Sequence, residues 1–416
     1  MPDVGSGRPE SDRGRSCTVR SDFRSPSRPT VSAAAAPHYD VILIGAGPAG
    51  AACALALRHS GLRVALVDKA RFPRDKVCGD AIPGPALKAL RRLSEDFYQE
   101  LRARTPRADT QISRLVAPDG GQARVQWQLP TFSSPRLHFD HHLLNLVRRH
   151  TATHILENYA VRDVHTTTDH ATVVPADGST PLTAALIIGC DGANSVVARK
   201  LLPRPLDRRY HCAAVRAYYR GIAGTDEHRT EFFFLKEYLA GYLWIFPVGD
   251  GTCNVGFGMV SDQIAAAQVN LKDTMLALLA QHPELAPRFA GAEQLTPIVG
   301  FGLPLGGTPR PLTGPRFLLC GDAAALIDPL QGHGIDTAMQ SGILAAAQVE
   351  RCFRAQNFSA EYLRHYEQQV QAQIGRRLAR SYRLMRFLAD KPWVVNVGCR
   401  LARQPLIKKW LLKLVG

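Results

Sequence analysis

The chain is short of several things, and each shortage excludes something. No apolar run in its 416 residues approaches the roughly 20 that a membrane-spanning helix needs, so the chain is not expected to cross a bilayer. Its nine cysteines (17, 53, 78, 190, 212, 253, 320, 352 and 399) are odd in number and never pair as CxxC. With no signal-peptide pattern ahead of them, they point to a reducing, cytoplasmic setting without a disulfide framework or a structural metal site. There is no helix-turn-helix, zinc-finger or RNA-recognition pattern, so the net charge of +15 is not that of a nucleic-acid module. Internal repeats are also missing. What remains, 45% hydrophobic and 21% charged residues, is ordinary globular composition with length for about two or three domains.

The charge lies at one end. Between 376 and 416, eleven Lys and Arg (376, 377, 380, 383, 386, 391, 400, 403, 408, 409 and 413) face the single acid Asp390, which gives +10 of the +15. Ile374, Leu378, Tyr382, Met385 and Leu388 recur at helical spacing beside the arginines, and Trp393, Val397, Leu401, Leu406, Trp410 and Leu414 continue an apolar face. A basic amphipathic helix with Trp suits the anionic surface of a membrane, a peripheral contact. The alternative is a set of helices that cover another domain behind a solvated basic rim. At the other end, residues 1–37 are rich in Arg, Ser, Pro and Gly without a hydrophobic period and read as a disordered tail. Asp3, Glu10, Asp12 and Asp22 argue there against an acid-poor transit peptide.

The strongest pattern runs from His38 to Lys69. It reads as a buried strand, a glycine turn (Gly45, Gly47, Gly50), a helix of small residues including Ala49, and a second strand ending at Asp68. Gly45 permits the tight turn, Gly47 lets a pyrophosphate approach the backbone, and Gly50 lets helix and strand pack closely. Phosphates would sit on the helix N-terminus, and Asp68, with Lys69 beside it, stands about twenty residues on, where an acid accepts hydrogen bonds from ribose hydroxyls. This predicts a dinucleotide site.

Farther along, Ile112–Gln128 reads as a hairpin around Asp119-Gly120, and 136–150 as a helix. Strands run through 154–188 into Asp191-Gly192, and Tyr210 to Val260 holds strand-like runs of an antiparallel sheet closed by helices to about Ala290. A buried strand, 316–320, leads into Gly321-Asp322, and the loop DPLQGHG (328–334) precedes a helix from Ile335. The predicted class is α/β: a discontinuous Rossmann-like domain (38–110, 136–205, 296–350), an antiparallel-sheet domain (111–135, 206–295) and basic C-terminal helices (351–416).

The fingerprint, Asp191-Gly192 and Gly321-Asp322, in that order and spacing, resemble the FAD-dependent oxidoreductases of the para-hydroxybenzoate hydroxylase type. FPRDKVCGD (72–80), Arg136 with Phe139-Asp140, YLWIFP (242–247) and GDAAALIDPLQGHGI (321–335) are most similar to the geranylgeranyl reductase family. The resemblance implies that Asp322 bonds a ribityl hydroxyl of FAD, and that Pro329, Gly332 and Gly334 bring backbone to the flavin ring. It further implies that the helix from Ile335 stabilises reduced flavin's negative charge, and that Arg136 lies on the ribityl and phosphate side, a surface salt bridge being its alternative. Asp191 and Gly192 contact the cofactor, or Asp191 caps a turn or helix. Only one such turn exists, so NAD(P)H, as electron donor, would dock transiently.

Tyr242, Trp244 and Phe246 alternate on one strand face, either as sheet core or as the wall of an apolar substrate pocket. Where many family members have Cys-Gly-Gly and a Lys after the YLWIFP proline, this chain has Cys78-Gly79-Asp80 and Val248. Cys78 and His333 are the polar candidates at the flavin face, since reducing an alkene needs a proton donor; Cys78 as a buried thiol and His333 as a loop filler are the alternatives. The implied activity is saturation of C=C bonds in a prenyl chain on a lipid or diphosphate precursor. Its rivals are an FAD monooxygenase of an apolar or aromatic substrate and a non-enzymatic prenyl-protein escort. The strand Tyr242-Leu243-Trp244-Ile245-Phe246-Pro247 differs from the Trp-x-Trp-x-Ile-Pro of halogenating members.

Overall fold

The computed structural model describes residues 38–103 and 107–404; the expected tail 1–37 and the face continued by Leu406, Trp410 and Leu414 lie outside the described residues. The strand His38–Ile44 is fully buried from Val41 onward, because it has parallel neighbours on both sides. The parallel core runs Phe317–Leu319, Leu182–Gly189, His38–Ile44, Val64–Val67, His154–Leu156, and an antiparallel hairpin (Val161–Thr166, Ala171–Pro175) joins Leu182–Gly189. Strands buried on both faces read as continuous apolar runs, which is why VILI, VALV and ALII stood out in the sequence. The loops after Ile44, Gly189 and Leu319 therefore leave the same edge of one sheet side by side.

Two close approaches explain the glycines and alanines of this region. Gly45 sits at φ +104°, and a Cβ there would lie 2.4 Å from the Cys190 carbonyl oxygen. A Cβ on Gly342 would lie 2.3 Å from the Ala49 carbonyl oxygen, so the helices Pro48–Ala56 and Ile335–Ala355 touch backbone to backbone. Larger residues would hold them apart.

The second sheet orders Glu293–Gln294, His211–Arg220, Thr252–Val260, Gly241–Gly249, Arg229–Phe233, Ile112–Val116, Gln122–Gln126. All its pairings are antiparallel except Arg229–Phe233 on Ile112–Val116. The sequence reading ended this domain at 295, but Val299–Pro304 pairs with His211–Arg216 and belongs to it. That half-exposed strand carries two glycines, which blunt the alternation that marks a strand. Helices Ser261–Ala266, Leu271–Gln281 and Ala286–Phe289 cover the side of the sheet turned away from the nucleotide domain.

The C-terminal helices settle one alternative. Ile374, Leu378 and Met385 are buried and Tyr382 stacks on Tyr210 at 4.3 Å, so this stripe covers the fold. Several of the basic residues are spent internally: Arg377 on Asp336 (2.8 Å), Arg386 on Asp262 (2.7 Å) and Arg400 on Asp119 (2.6 Å). Pro392 starts the last described helix, Pro392–Leu401, where its missing N–H costs nothing. No helix among the described residues is long and apolar enough to cross a membrane.

Gly45→Ala is expected to lower stability by about 2–4 kcal/mol, from the clash with Cys190 and the left-handed φ together, measured by urea denaturation against wild type.

Candidate active site

The edge where the three loops emerge is built to take an anion. Gly47 precedes Pro48–Ala56 without a side-chain cap, which leaves the first N–H groups of the helix open. A Cβ on Gly47 would meet nothing nearer than Arg74 Nη2 at 3.8 Å, so the space in front of the turn is clear and has a guanidinium at its rim. Asp68 accepts from the Ala46 N–H (2.8 Å) and the Ala70 N–H (2.9 Å), tying the turn to the end of the second strand. Lys69 is exposed, and Ala49 is buried beneath the long helix.

Asp191 caps a helix. It accepts from Ser195 Oγ and the Val196 N–H, both at 2.6 Å, and from the Val197 N–H at 3.3 Å. Burial raises its pKa in spite of those bonds. Gly192 follows at φ +77° with open space around it. Asp322 is half-buried, with Lys76 Nζ 3.7 Å away, and the preceding Gly321 N–H donates to Ser341 Oγ at 3.0 Å.

The loop 328–334 is held from inside. Asp328, buried, accepts from the Leu330 and Gln331 N–H groups (2.9 and 3.1 Å) and from Ser381 Oγ (3.0 Å). Pro329 is buried, Gly332 is exposed, and Gly334 leads into Ile335–Ala355 with no side-chain cap, a second open helix N-terminus. His333 Nδ1 lies 2.7 Å from Asp336, which also takes Arg377. Burial pulls the His333 pKa down, but the Asp336 and Asp328 carboxylates outweigh it and leave it raised.

Across from this edge stands one face of the second sheet. Its register puts Tyr242 beside Gly258 and Ala214, Trp244 beside Gly256 and Arg216, and Phe246 beside Asn254 and Tyr218. Phe232 packs edge-on to Tyr242 (5.4 Å) and Phe246 (5.0 Å), making a continuous aromatic wall. The wall reaches the loop, since the Tyr242 hydroxyl donates to the Gln331 carbonyl at 2.7 Å. Trp244 and Phe246 are buried and Tyr242 half-buried. On the opposite face of the sheet, a cavity of about 450 Å³ lined by Arg114, Arg229, Glu284 and Arg288 holds none of the marked residues.

Between edge and wall lies a polar group that sequence reasoning missed. Asp80, fully buried and at φ +65°, accepts from the Tyr218 hydroxyl (2.5 Å) and Asn254 Nδ2 (2.8 Å). Asn254 also donates to the Cys78 carbonyl (2.7 Å) and accepts from Trp244 Nε1 (2.9 Å). Arg216 stacks 4.5 Å from the Tyr218 ring and pairs with Asp75. Burial pushes Asp80 up to about 6 against the pull of Tyr218, Asn254, Arg216 and Arg136. Arg136 is no surface pair: it is 3% exposed, grips both oxygens of Asp140 at 2.7 Å, and lies against the Cys78 thiol. The one sequence signal was Asp80 standing where the resemblance has glycine.

Residues 38–209 match the model of an FAD binding domain, and 211–290 that of a geranylgeranyl reductase catalytic domain. A menaquinone reductase of Mycobacterium tuberculosis (strain ATCC 25618 / H37Rv) is 31% identical over 319 residues, covering 74% of this chain and 75% of that protein. The chain belongs to the geranylgeranyl reductase family. It is an FAD-dependent oxidoreductase. A digeranylgeranylglycerophospholipid reductase of Methanoculleus marisnigri is 28% identical over 84% of this chain and 86% of its own. A geranylgeranyl bacteriochlorophyll reductase-like protein of Thermoplasma acidophilum shares the fold at TM-score 0.76 and 22% identity, over 88% and 91% of the two chains. A flavin-dependent brominase does so at 0.74 and 23%, over 91% and 93%. The clear glycine turn, two uncapped helix N-termini and a half-buried Asp322 fit FAD.

Asp80 yields a stability prediction. Its folded pKa of about 6 exceeds the ordinary 3.8, so the folded state keeps the proton longer, and ionising it as pH rises through 6 weakens the fold. Asp80→Asn has nothing to ionise. Its melting temperature relative to wild type is expected to climb between pH 5 and pH 8 by the equivalent of about 1.5 kcal/mol, checked by calorimetry at both.

Proposed function

We propose that this enzyme saturates C=C bonds of a geranylgeranyl-type prenyl chain carried on a lipid or a diphosphate precursor. The observation that carries this reading is the aromatic wall of Phe232, Tyr242, Trp244 and Phe246, joined to the 328–334 loop through Tyr242 and Gln331. An extended apolar chain lying on that wall would meet the loop that the resemblance assigns to flavin. The names of the relatives, menaquinone reductase and digeranylgeranylglycerophospholipid reductase, both denote lipids with polyprenyl chains and support the class.

FAD would be held by Gly45, Gly47, Ala49, Gly50, Asp68 and Lys69 at its adenosine and phosphate side. Asp191-Gly192 and Gly321 would shape the edge, Asp322 would take a ribityl hydroxyl, and Pro329, Gly332, Gly334 and Ile335 would border the ring. Bound there, FAD would supply hydride, and a nicotinamide docking transiently would be its electron donor. Within the chain, Arg136 holds the Cys78 loop in place through Asp140, and His333, its pKa raised, offers positive charge beside the open helix N-terminus. Cys78 lines the site with its thiol against that guanidinium.

The last described helix presents Trp393 (64% exposed), Val397 and Leu401 in an outward stripe, with Phe387 nearby and Arg383 and Arg403 exposed around it. Such a stripe suits an anionic lipid surface, from which a prenyl lipid would be drawn.

Anaerobic incubation of the holoenzyme with reductant and a total lipid extract is expected to add mass to prenyl lipids in steps of two hydrogens, read by mass spectrometry. No gain under any reductant, or product formed only with oxygen, would sink the reading. Trp393→Glu is expected to cut cosedimentation with phosphatidylglycerol vesicles severalfold and to leave anaerobic reduction of a detergent-dispersed substrate unchanged.

A further inference from the structure

Among the described residues, three of the buried acids meet a cation and two do not. Asp140, Asp336 and Glu231 each bond a guanidinium directly, and Asp328 caps its own loop. Asp80 is as deeply buried, yet no cation bonds its carboxyl among the described residues. It accepts only from the Tyr218 hydroxyl, Asn254 Nδ2 and, at 3.3 Å, the backbone N–H of Arg136. It also stands at φ +65°, where glycine or asparagine would sit more easily. An unpaired acid in a strained, sealed position marks a site where the fold accepts a cost for a function.

We propose that Asp80 and Tyr218 are the proton relay of the reduction, with Tyr218 delivering the proton to the substrate carbon and Asp80 replacing it. This rests on the prenyl-reductase reading above. Asp80 is fully enclosed and acts only through a neighbour, whereas Tyr218 is half-buried and shares a row of the sheet face with Asn254 and Phe246, next to the aromatic wall. Saturating one double bond needs a hydride on one carbon, supplied by the reduced flavin, and a proton on the next. The π pair takes the proton of the Tyr218 O–H to form the second C–H bond. The carboxyl proton of Asp80 refills the phenolic oxygen, and the carboxylate left behind regains a proton from solvent through the half-buried Tyr218 before the next turnover.

The surroundings fit this division of work. Burial and the adjacent Asp80 raise the Tyr218 pKa, so the phenol does not shed its proton alone and serves as a conduit. Asp80, pushed up to about 6, holds a transferable proton near neutrality. Arg216, stacked on the Tyr218 ring and paired with Asp75, and Arg136, beside Cys78, are the charges that face the pair, and both stabilise the carboxylate that the transfer leaves behind. Asn254 fixes the Asp80 oxygen and the Cys78 carbonyl together, which makes it the positioning residue.

The test compares holoenzyme of wild type, Asp80→Asn and Tyr218→Phe on a prenyl lipid under anaerobic conditions. In Asp80→Asn, FAD content and anaerobic dithionite reduction are expected to match wild type. Its kcat falls about a hundredfold or more with KM within about threefold, and the wild-type decline of rate above pH 6 is lost. Infrared difference spectra between pH 5 and pH 8 supply a readout apart from activity. Wild type should show a buried carboxylic-acid C=O band that disappears on raising pH; it is absent in Asp80→Asn and shifted in Tyr218→Phe. If Asp80→Asn fails to hold FAD, Tyr218→Phe carries the kinetic comparison with the same expected loss. Rates within about threefold of wild type with an unchanged pH profile, or no titrating carboxyl band in wild type, overturn the relay alone. A wild type that adds no hydrogen to any prenyl lipid overturns the functional reading and the relay with it.

Discussion

The contact on which the site depends is backbone against backbone. The Cys190 carbonyl presses on Gly45, and Ala49 presses on Gly342, because three parallel strands end side by side and two helices cross directly above them. No side chain mediates either approach, so the spacing is set by the absence of Cβ atoms and tolerates little change. That spacing brings the loops after Ile44, Gly189 and Leu319 to one edge. Three short motifs scattered over nearly three hundred residues become a single cradle by topology, not by mutual attraction.

The second constraint is electrostatic. The loop 73–80 runs between the cradle and the aromatic face of the second sheet, and it is fastened at both sides by buried charge or hydrogen bonds. Arg74 and Arg136 share Asp140, while Asp75 takes Arg216 and Asp80 takes Tyr218 and Asn254. Breaking one partner of such a set leaves an uncompensated group in low dielectric, which ties the loop to both sides. Cys78 sits at the centre of this stretch with its carbonyl bound by Asn254 and its thiol by Arg136. Its placement is a product of its neighbours' charges.

How much of this could be read from residues alone depends on the range of the forces. The glycine turn, the small-residue helix and the parallel strands were legible because steric rules act over a few residues, and the family resemblance added Asp322 and the 328–334 loop. Asp80 was visible only as an oddity, since its partners lie 138 and 174 positions away and neither YYR nor CNV announces a hydrogen bond. Asp191 offered two readings because a carboxylate before glycine serves turns and ligands alike; the helix after it supplied the donors. The stripe from Ile374 to Leu388 could not be assigned to membrane or core by period, as the same apolar face serves either, and the burial of Ile374, Leu378 and Met385 with Tyr210 stacked on Tyr382 decides it.

The basic helix Arg376–Leu388 then acquires a meaning its composition did not suggest. Arg377 holds Asp336 and, through it, His333, while Ser381 holds Asp328, so two of its side chains fasten the 328–334 loop from behind. The same helix leads within a few residues to the outward stripe of Trp393, Val397 and Leu401. The segment that rigidifies the loop and the segment that carries the exposed apolar stripe are thus consecutive in the chain. Charge counted from the sequence as a surface property is, for Arg377 and Arg386, a tie to other parts of the fold, while Arg376, Arg380 and Arg383 stay exposed on the same helix. One helix thus puts arginine to both uses, because successive positions on it face the loop behind it and the solvent in turn.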